Sequence, residues 1–168
     1  MVCAKLAGIA ALRDTENMKD HGAMDTVSFV DAGYTSTVDN KNAVRVTKGA
    51  INYLARTSHN FIVIEFGDGI LGEYGVMEIL KDAMIQKNIV AHVGCAHDPP
   101  GALELARICD QIKVPLTVIA GPVTDNSVGI DFVKQRLKVP GFNAKTSGKE
   151  MFAYIKENFM RNVKIRGV

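Results

Sequence analysis

The strongest constraint on this chain is an alternation. Short apolar runs rich in β-branched residues recur along it, each followed by a glycine-bearing loop and then by a segment with helical periodicity. That order predicts β-α units, because a strand returning parallel to its predecessor needs a crossover, usually a helix. Six runs qualify as strands: Val2–Ala7, Thr26–Val30, Phe61–Phe66, Ile89–Val93, Leu116–Ala120 and Phe142–Ala144. Phe61–Phe66, Ile89–Val93 and Leu116–Ala120 lack polar alternation, as expected of strands covered on both faces. Between the runs lie helical stripes: Ala43, Val46, Ala50 and Tyr53; Val76, Met77, Leu80, Ala83 and Met84; and Ala102, Leu105, Ala106, Cys109 and Ile112. Shorter stripes are Ile130, Val133 and Leu137, then Phe152, Ile155 and Phe159. The expected fold is α/β, a three-layer sandwich with a mainly parallel sheet, and a single domain over residues 1–168. A chain of 168 residues buries about two-thirds of its unfolded surface, enough for one core without staples.

Charge and cysteine usage narrow the function. Twenty Lys and Arg residues against 18 Asp and Glu give a formal charge of +2. No block of like charges marks a nucleic-acid or anionic membrane partner. A small-molecule substrate or a protein partner is expected instead. Cys3, Cys95 and Cys109 form no C-x-x-C pair, which argues against a disulfide framework and fits a reducing cytoplasm. Lys5 interrupts the apolar opening, so it is not read as a secretory signal, and Glu65 and Asp68 break the best candidate span.

In an open parallel sheet, ligands bind beyond the carboxyl ends of the strands. The loops there carry Gly8, then Glu65-Phe66-Gly67-Asp68-Gly69, then Cys95-Ala96-His97-Asp98, then Gly121-Pro122-Val123-Thr124-Asp125-Asn126, then Asn143. Gly67-x-Gly69-x-x-Gly72 has the dinucleotide spacing between a strand and a helix, so an NAD(P)-binding Rossmann-like enzyme is one reading. Glu65, Asp68 and Glu73 oppose it, because they would place three carboxylates beside a pyrophosphate. A cation suits the segment better, since Mg²⁺ takes carboxylates and shares phosphates. Alternatively, Glu65 closes the glycine loop by accepting its N–H bonds.

Phe61-Ile-Val-Ile-Glu-Phe-Gly-Asp-Gly-Ile-Leu-Gly72 resembles the strand and glycine loop of the dethiobiotin synthetase-like branch of P-loop nucleotide hydrolases, where a strand ends in Glu-Gly-x-Gly-Gly. Cys3-Ala-Lys-Leu-Ala-Gly8 is similar to that branch's second strand, and the strands ending in Gly121-Pro-Val-Thr-Asp-Asn126 and Phe142-Asn-Ala144 are similarly arranged. The resemblance implies Mg²⁺ and ATP or GTP as cofactors and phosphoryl transfer to a small, carboxylate-bearing metabolite, in the manner of a ligase or kinase. It implies Glu65 as the metal-associated carboxylate and Lys5 facing phosphate or substrate. Gly67 and Gly69 would allow close backbone approach, with Asp68 beside them, and Asn143 would touch the base. Phe66 and Asp68 depart from the family pattern.

A larger departure limits the transfer. Phosphate cradling in that family needs G-x-x-x-x-G-K-[ST], which this sequence lacks. Ser147-x-x-Glu150, near the closest string, reads as a capping box. On the resemblance, the family's first β-α unit is absent, the chain is the C-terminal part of a longer nucleotide-binding protein or a degenerate module, and an unpaired sheet edge favours a homodimer or other association. A non-catalytic α/β module binding a metabolite or partner is the alternative. His92-x-x-Cys95-x-His97-Asp98 supplies metal-ligand types, but His92 within a strand reads better as a hydrogen-bonded core residue and Asp98-Pro99-Pro100 as a helix start. His97 remains a general acid/base candidate. Of Thr124, Asp125 and Asn126, one is expected to cap a helix and the others to face the cleft. Asp14, Glu16, Asp20 and His21 read as a solvated helix face.

Overall fold

The computed structural model describes residues 1–56 and 59–160 and divides the chain into two compact units, residues 1–85 and 86–160. The chain is α/β, and every strand ladder among the described residues is parallel. Pairing is confined to the units: three strands join in the first and two in the second.

The first unit runs β1 (Val2–Ala7), α1 (Leu12–Asp20), β2 (Thr26–Ser28), α2 (Ala43–Leu54), β3 (Ile62–Phe66), α3 (Val76–Lys81) and α4 (Ala83–Gln86). Strand order is β2-β1-β3, with Cys3 opposite Thr26, Ala4 opposite Ile64 and Lys5 opposite both Ser28 and Glu65. All six residues of the central β1 are buried. Alternation sends Val2, Ala4 and Leu6 toward Ala50 and Leu54 of α2, where Val27, Ile62, Ile64 and Phe66 complete the core. Each fully buried leucine there contributes about 2 kcal/mol. The other face of β1 carries Cys3, Lys5 and Ala7, and Lys5 meets α1.

Four expectations change in this unit. Phe61–Phe66 is not covered on both faces, because β3 is an edge strand with Val63 and Glu65 exposed. The buried stripe of α2 is Ala43, Thr47, Ala50 and Leu54, whereas Tyr53 is exposed. Residues 76–86 form two helices broken at Asp82, whose Oδ1 accepts from the backbone N–H of Met84 and Ile85 and restarts the chain there. Residues 26–30 are strand only to Ser28. Asp31 accepts from the Ser28 N–H and the Ser28 hydroxyl from the Val30 N–H, which turns the chain into a 3₁₀ turn over Phe29–Ala32.

The second unit runs β4 (Val93–Cys95), α5 (Pro99–Gln111), β5 (Val118–Ala120), α6 (Ser127–Phe132) and α7 (Gly148–Phe159). Val93, Gly94 and Cys95 pair with the buried Val118, Ile119 and Ala120. The strand expected at Ile89–Val93 therefore begins where that run ends. The cause is Thr117, whose hydroxyl accepts from the His92 N–H and donates to the His92 carbonyl, so a side chain holds the segment just before β4. Phe142–Ala144 is not a strand. Ile119 bridges to Gly141, and then Asn143 Oδ1 accepts from the N–H groups of Lys145 and Thr146 and bends the chain away. Asp98 caps α5 as expected, accepting from Gly101 at 2.8 Å ahead of two prolines. Ser147 sits at the start of α7 without a side-chain capping bond, so the expected capping box does not form.

Candidate functional site

The polar centre of the first unit lies toward the carboxyl ends of β1 and β3. Lys5 Nζ is 2.7 Å from Asp14 Oδ2 and 2.8 Å from Glu65 Oε1. Three local causes produce this triad. Parallel register puts Lys5 beside Glu65 on neighbouring strands. The short connection after β1 brings back the first turn of α1 with Asp14. Gly67 leaves room, because a Cβ there would lie 3.0 Å from Lys5 Nζ and 3.2 Å from the Ala7 carbonyl oxygen.

Lys5 is only 8% exposed, whereas the Glu65 side chain is 46% exposed. Burial pulls the Lys5 pKa down, but hydrogen bonds to Asp14 and Glu65 and their charges outweigh it and hold the ammonium above its ordinary value. Lys5 is therefore charged at neutral pH. It can orient and neutralise an anion but cannot act there as a free amine. One ammonium between two carboxylates leaves the triad with a net negative charge.

The surrounding loops are closed by their own hydrogen bonds. The Gly8 N–H donates to the hydroxyl of the fully buried Thr37, which itself donates to the Tyr74 carbonyl. The Ile9 N–H donates to Asp68 Oδ2 and the Gly67 N–H to the Ala7 carbonyl. Asp68 and Gly69 take positive φ of 62° and 82°, and a Cβ on Gly72 would meet the Asp68 carbonyl at 2.8 Å. The glycines of Gly67-x-Gly69-x-x-Gly72 thus have internal reasons. The next helix, α3, begins only at Val76, so these glycines do not open a helix as a dinucleotide loop does.

The expected site residues fall in both units. Lys5, Glu65, Gly67, Asp68 and Gly69 lie in the first; His97, Asp125, Asn126 and Asn143 lie in the second. Within the second unit, Asn126 Oδ1 accepts from Gly129 and caps α6. Asn143 Nδ2 donates to Asp125 Oδ1 at 3.0 Å, so both polar ends of its amide are bonded inside the loop. His97 is exposed, and His92 is held by its Nδ1 to the Val114 carbonyl, with burial lowering its pKa.

Sequence reasoning missed Asp14 and Thr37. Asp14 had one available signal: it falls in the first turn of the helix after β1, the turn that lies nearest the strand's carboxyl end. Among the described residues no group of three or more His, Cys, Asp and Glu could hold a metal ion. Asp14 and Glu65 each bond Lys5 through one carboxylate oxygen, Oδ2 and Oε1, and a Mg²⁺ beside such a pair would take most of its ligands from water and phosphate.

No helix among the described residues is long and apolar enough to cross a membrane. No family model, curated protein or solved structure matches this chain.

Proposed function

We propose that the carboxyl edge of the β2-β1-β3 sheet binds a Mg²⁺-complexed nucleotide, ATP or GTP, in an α/β domain that handles a small, carboxylate-bearing metabolite. The observation that carries this reading is Lys5, charged and buried between carboxylates from α1 and β3 at the ligand-binding edge of a parallel sheet. A buried ion cluster adds little net stability over apolar packing, so its placement there argues for use. In this reading Glu65, the more exposed carboxylate, and Asp14 hold the cation. Lys5, fixed by both, faces phosphate. Bound Mg²⁺ would neutralise the phosphates that the carboxylates alone repel.

A second reading, a non-catalytic metabolite- or partner-binding module, is favoured by the loop hydrogen bonds. The N–H groups of Gly8, Ile9 and Gly67 already have protein acceptors and offer no cradle for a transferring phosphoryl group. Both readings share the Lys5 site. The proposed partner interaction is self-association through β3. The Thr26 and Ser28 N–H groups on edge strand β2 are taken by Asp25 and Asp31, whereas β3, among the described residues, has a ladder partner on one side only.

Thermal unfolding with ATP or GTP tests the reading. A ligand that binds the folded chain alone raises the midpoint. The expected result is a rise that needs both nucleotide and Mg²⁺ and disappears in Lys5→Met. A rise retained in Lys5→Met moves the ligand elsewhere.

A further inference from the structure

A cleft lies in the first unit, between β2 with its following turn and one side of α2. It measures about 750 Å³, and its walls include Val27, Asp31, Tyr34, Arg45, Gly49 and Tyr53. Neither Lys5 nor its two carboxylates line it. The volume falls within the range of small-molecule pockets.

Arg45, Gly49 and Tyr53 are spaced i, i+4, i+8, so α2 presents them along one side. Gly49 is the informative residue. Glycine in the middle of a 12-residue helix costs about 1 kcal/mol relative to alanine, and it is kept where something requires the missing side chain. Among the described residues nothing requires it at Gly49: its φ is not positive, and no side chain or neighbouring backbone lies within 4 Å of where a Cβ would stand. Gly72, by contrast, has protein against it. At Gly49 the space belongs to the cleft.

The chemistry of the walls selects a ligand. Arg45 forms no ion pair among the described residues, whereas Asn42 donates to the Tyr34 hydroxyl and Asp31 accepts from the Ser28 N–H. One uncommitted guanidinium matches one carboxylate. Tyr34 and Tyr53, with Val27 on the floor, offer flat amphipathic and apolar surface to a ring. Asp31 disfavours a more highly charged anion such as a phosphate ester. From this juxtaposition we infer that the Gly49 cleft binds a planar aromatic monocarboxylate, at a site separate from Lys5.

The test uses the 168-residue chain and 2-naphthoate as the probe, with 2-naphthamide as its uncharged counterpart, followed by amide chemical-shift titration. The expected result is saturable binding of 2-naphthoate with shifts at residues 27, 34, 45, 49 and 53. Affinity should fall about tenfold or more in Arg45→Gln and for 2-naphthamide. Gly49→Leu should remove binding by filling the cleft while raising the unfolding midpoint, because leucine is the better helix former and its Cβ meets no atom within 4 Å. Failure of wild-type chain to bind 2-naphthoate overturns the inference. So does equal affinity in Arg45→Gln, or undiminished binding in a folded Gly49→Leu. Lys5→Met should bind the probe as wild type does, so loss of the nucleotide reading and loss of this one are separable.

Discussion

Lys5 and Glu65 stand opposite each other on β1 and β3, with Nζ and Oε1 2.8 Å apart, and Asp14 closes the ammonium from α1, the helix that follows β1. One substitution tests what the contact is worth. Lys5→Met keeps the length of the stem and removes the charge, leaving Asp14 and Glu65 facing each other without a cation. Loss of one partner of a fully buried pair costs about 3–5 kcal/mol, and the exposure of Glu65 lowers this to roughly 2 kcal/mol. Urea unfolding of the two chains measures the difference; equal stability would show that the ammonium is dispensable to the fold.

How the two residues were legible, and Asp14 was not, has a physical reason. Lys5 and Glu65 lie on strands whose apolar pattern is unmistakable, so their position near the carboxyl ends follows from counting. Asp14 lies on a helix with no buried residue, and nothing in its periodicity points to the sheet. The α2 stripe was misplaced for a related reason: Thr47 is fully buried although it reads as polar, and Tyr53 is exposed although it reads as apolar. Ile89–Val93 reads as a strand until Thr117, distant in sequence, holds His92 by both backbone groups. For Asn143 the resemblance implies a base contact, whereas its hydrogen bonds to Asp125, Lys145 and Thr146 depend on how the turn folds and are not visible in the sequence.

His92 makes stability depend on pH. Burial lowers its folded pKa below the ordinary 6.5, an effect only partly offset by the bond to the Val114 carbonyl. Its contribution is therefore complete above pH 6.5 and is lost as the pH falls from there toward the folded value, because the unfolded chain takes up the proton first. Denaturant unfolding between about pH 7.5 and about pH 5, on either side of the ordinary histidine pKa, should show a shallower decline in His92→Gln than in wild type. Parallel declines would assign the acid sensitivity to other groups.

Gly129 is a packing requirement that its sequence context hides. A Cβ at this position would overlap the Val123 carbonyl oxygen, because α6 packs directly on the turn after β5. Gly129→Ala should destabilise the chain by about 2–3 kcal/mol despite alanine's better helix propensity. A neutral or stabilising effect, read by thermal or urea unfolding, would mean that the turn yields without cost.

Self-association through β3 has its own signature. Val63 is 49% exposed on this edge strand. A lysine on an edge strand opposes pairing with another chain. Light scattering over a range of concentration should find association in wild type and a shift toward monomer in Val63→Lys. A wild-type chain that stays monomeric at high concentration would remove the interaction from the account.

Glu65 and Lys5 are proposed to form a Mg²⁺-dependent nucleotide site. Calorimetric titration with ATP, and separately with GTP, with and without Mg²⁺, addresses it directly in wild type and in Glu65→Gln. The expected result is saturable binding of at least one nucleotide only when Mg²⁺ is present, weakened about tenfold or more in Glu65→Gln. Absence of binding in both conditions, or binding indifferent to Mg²⁺ and to Glu65→Gln, would contradict it.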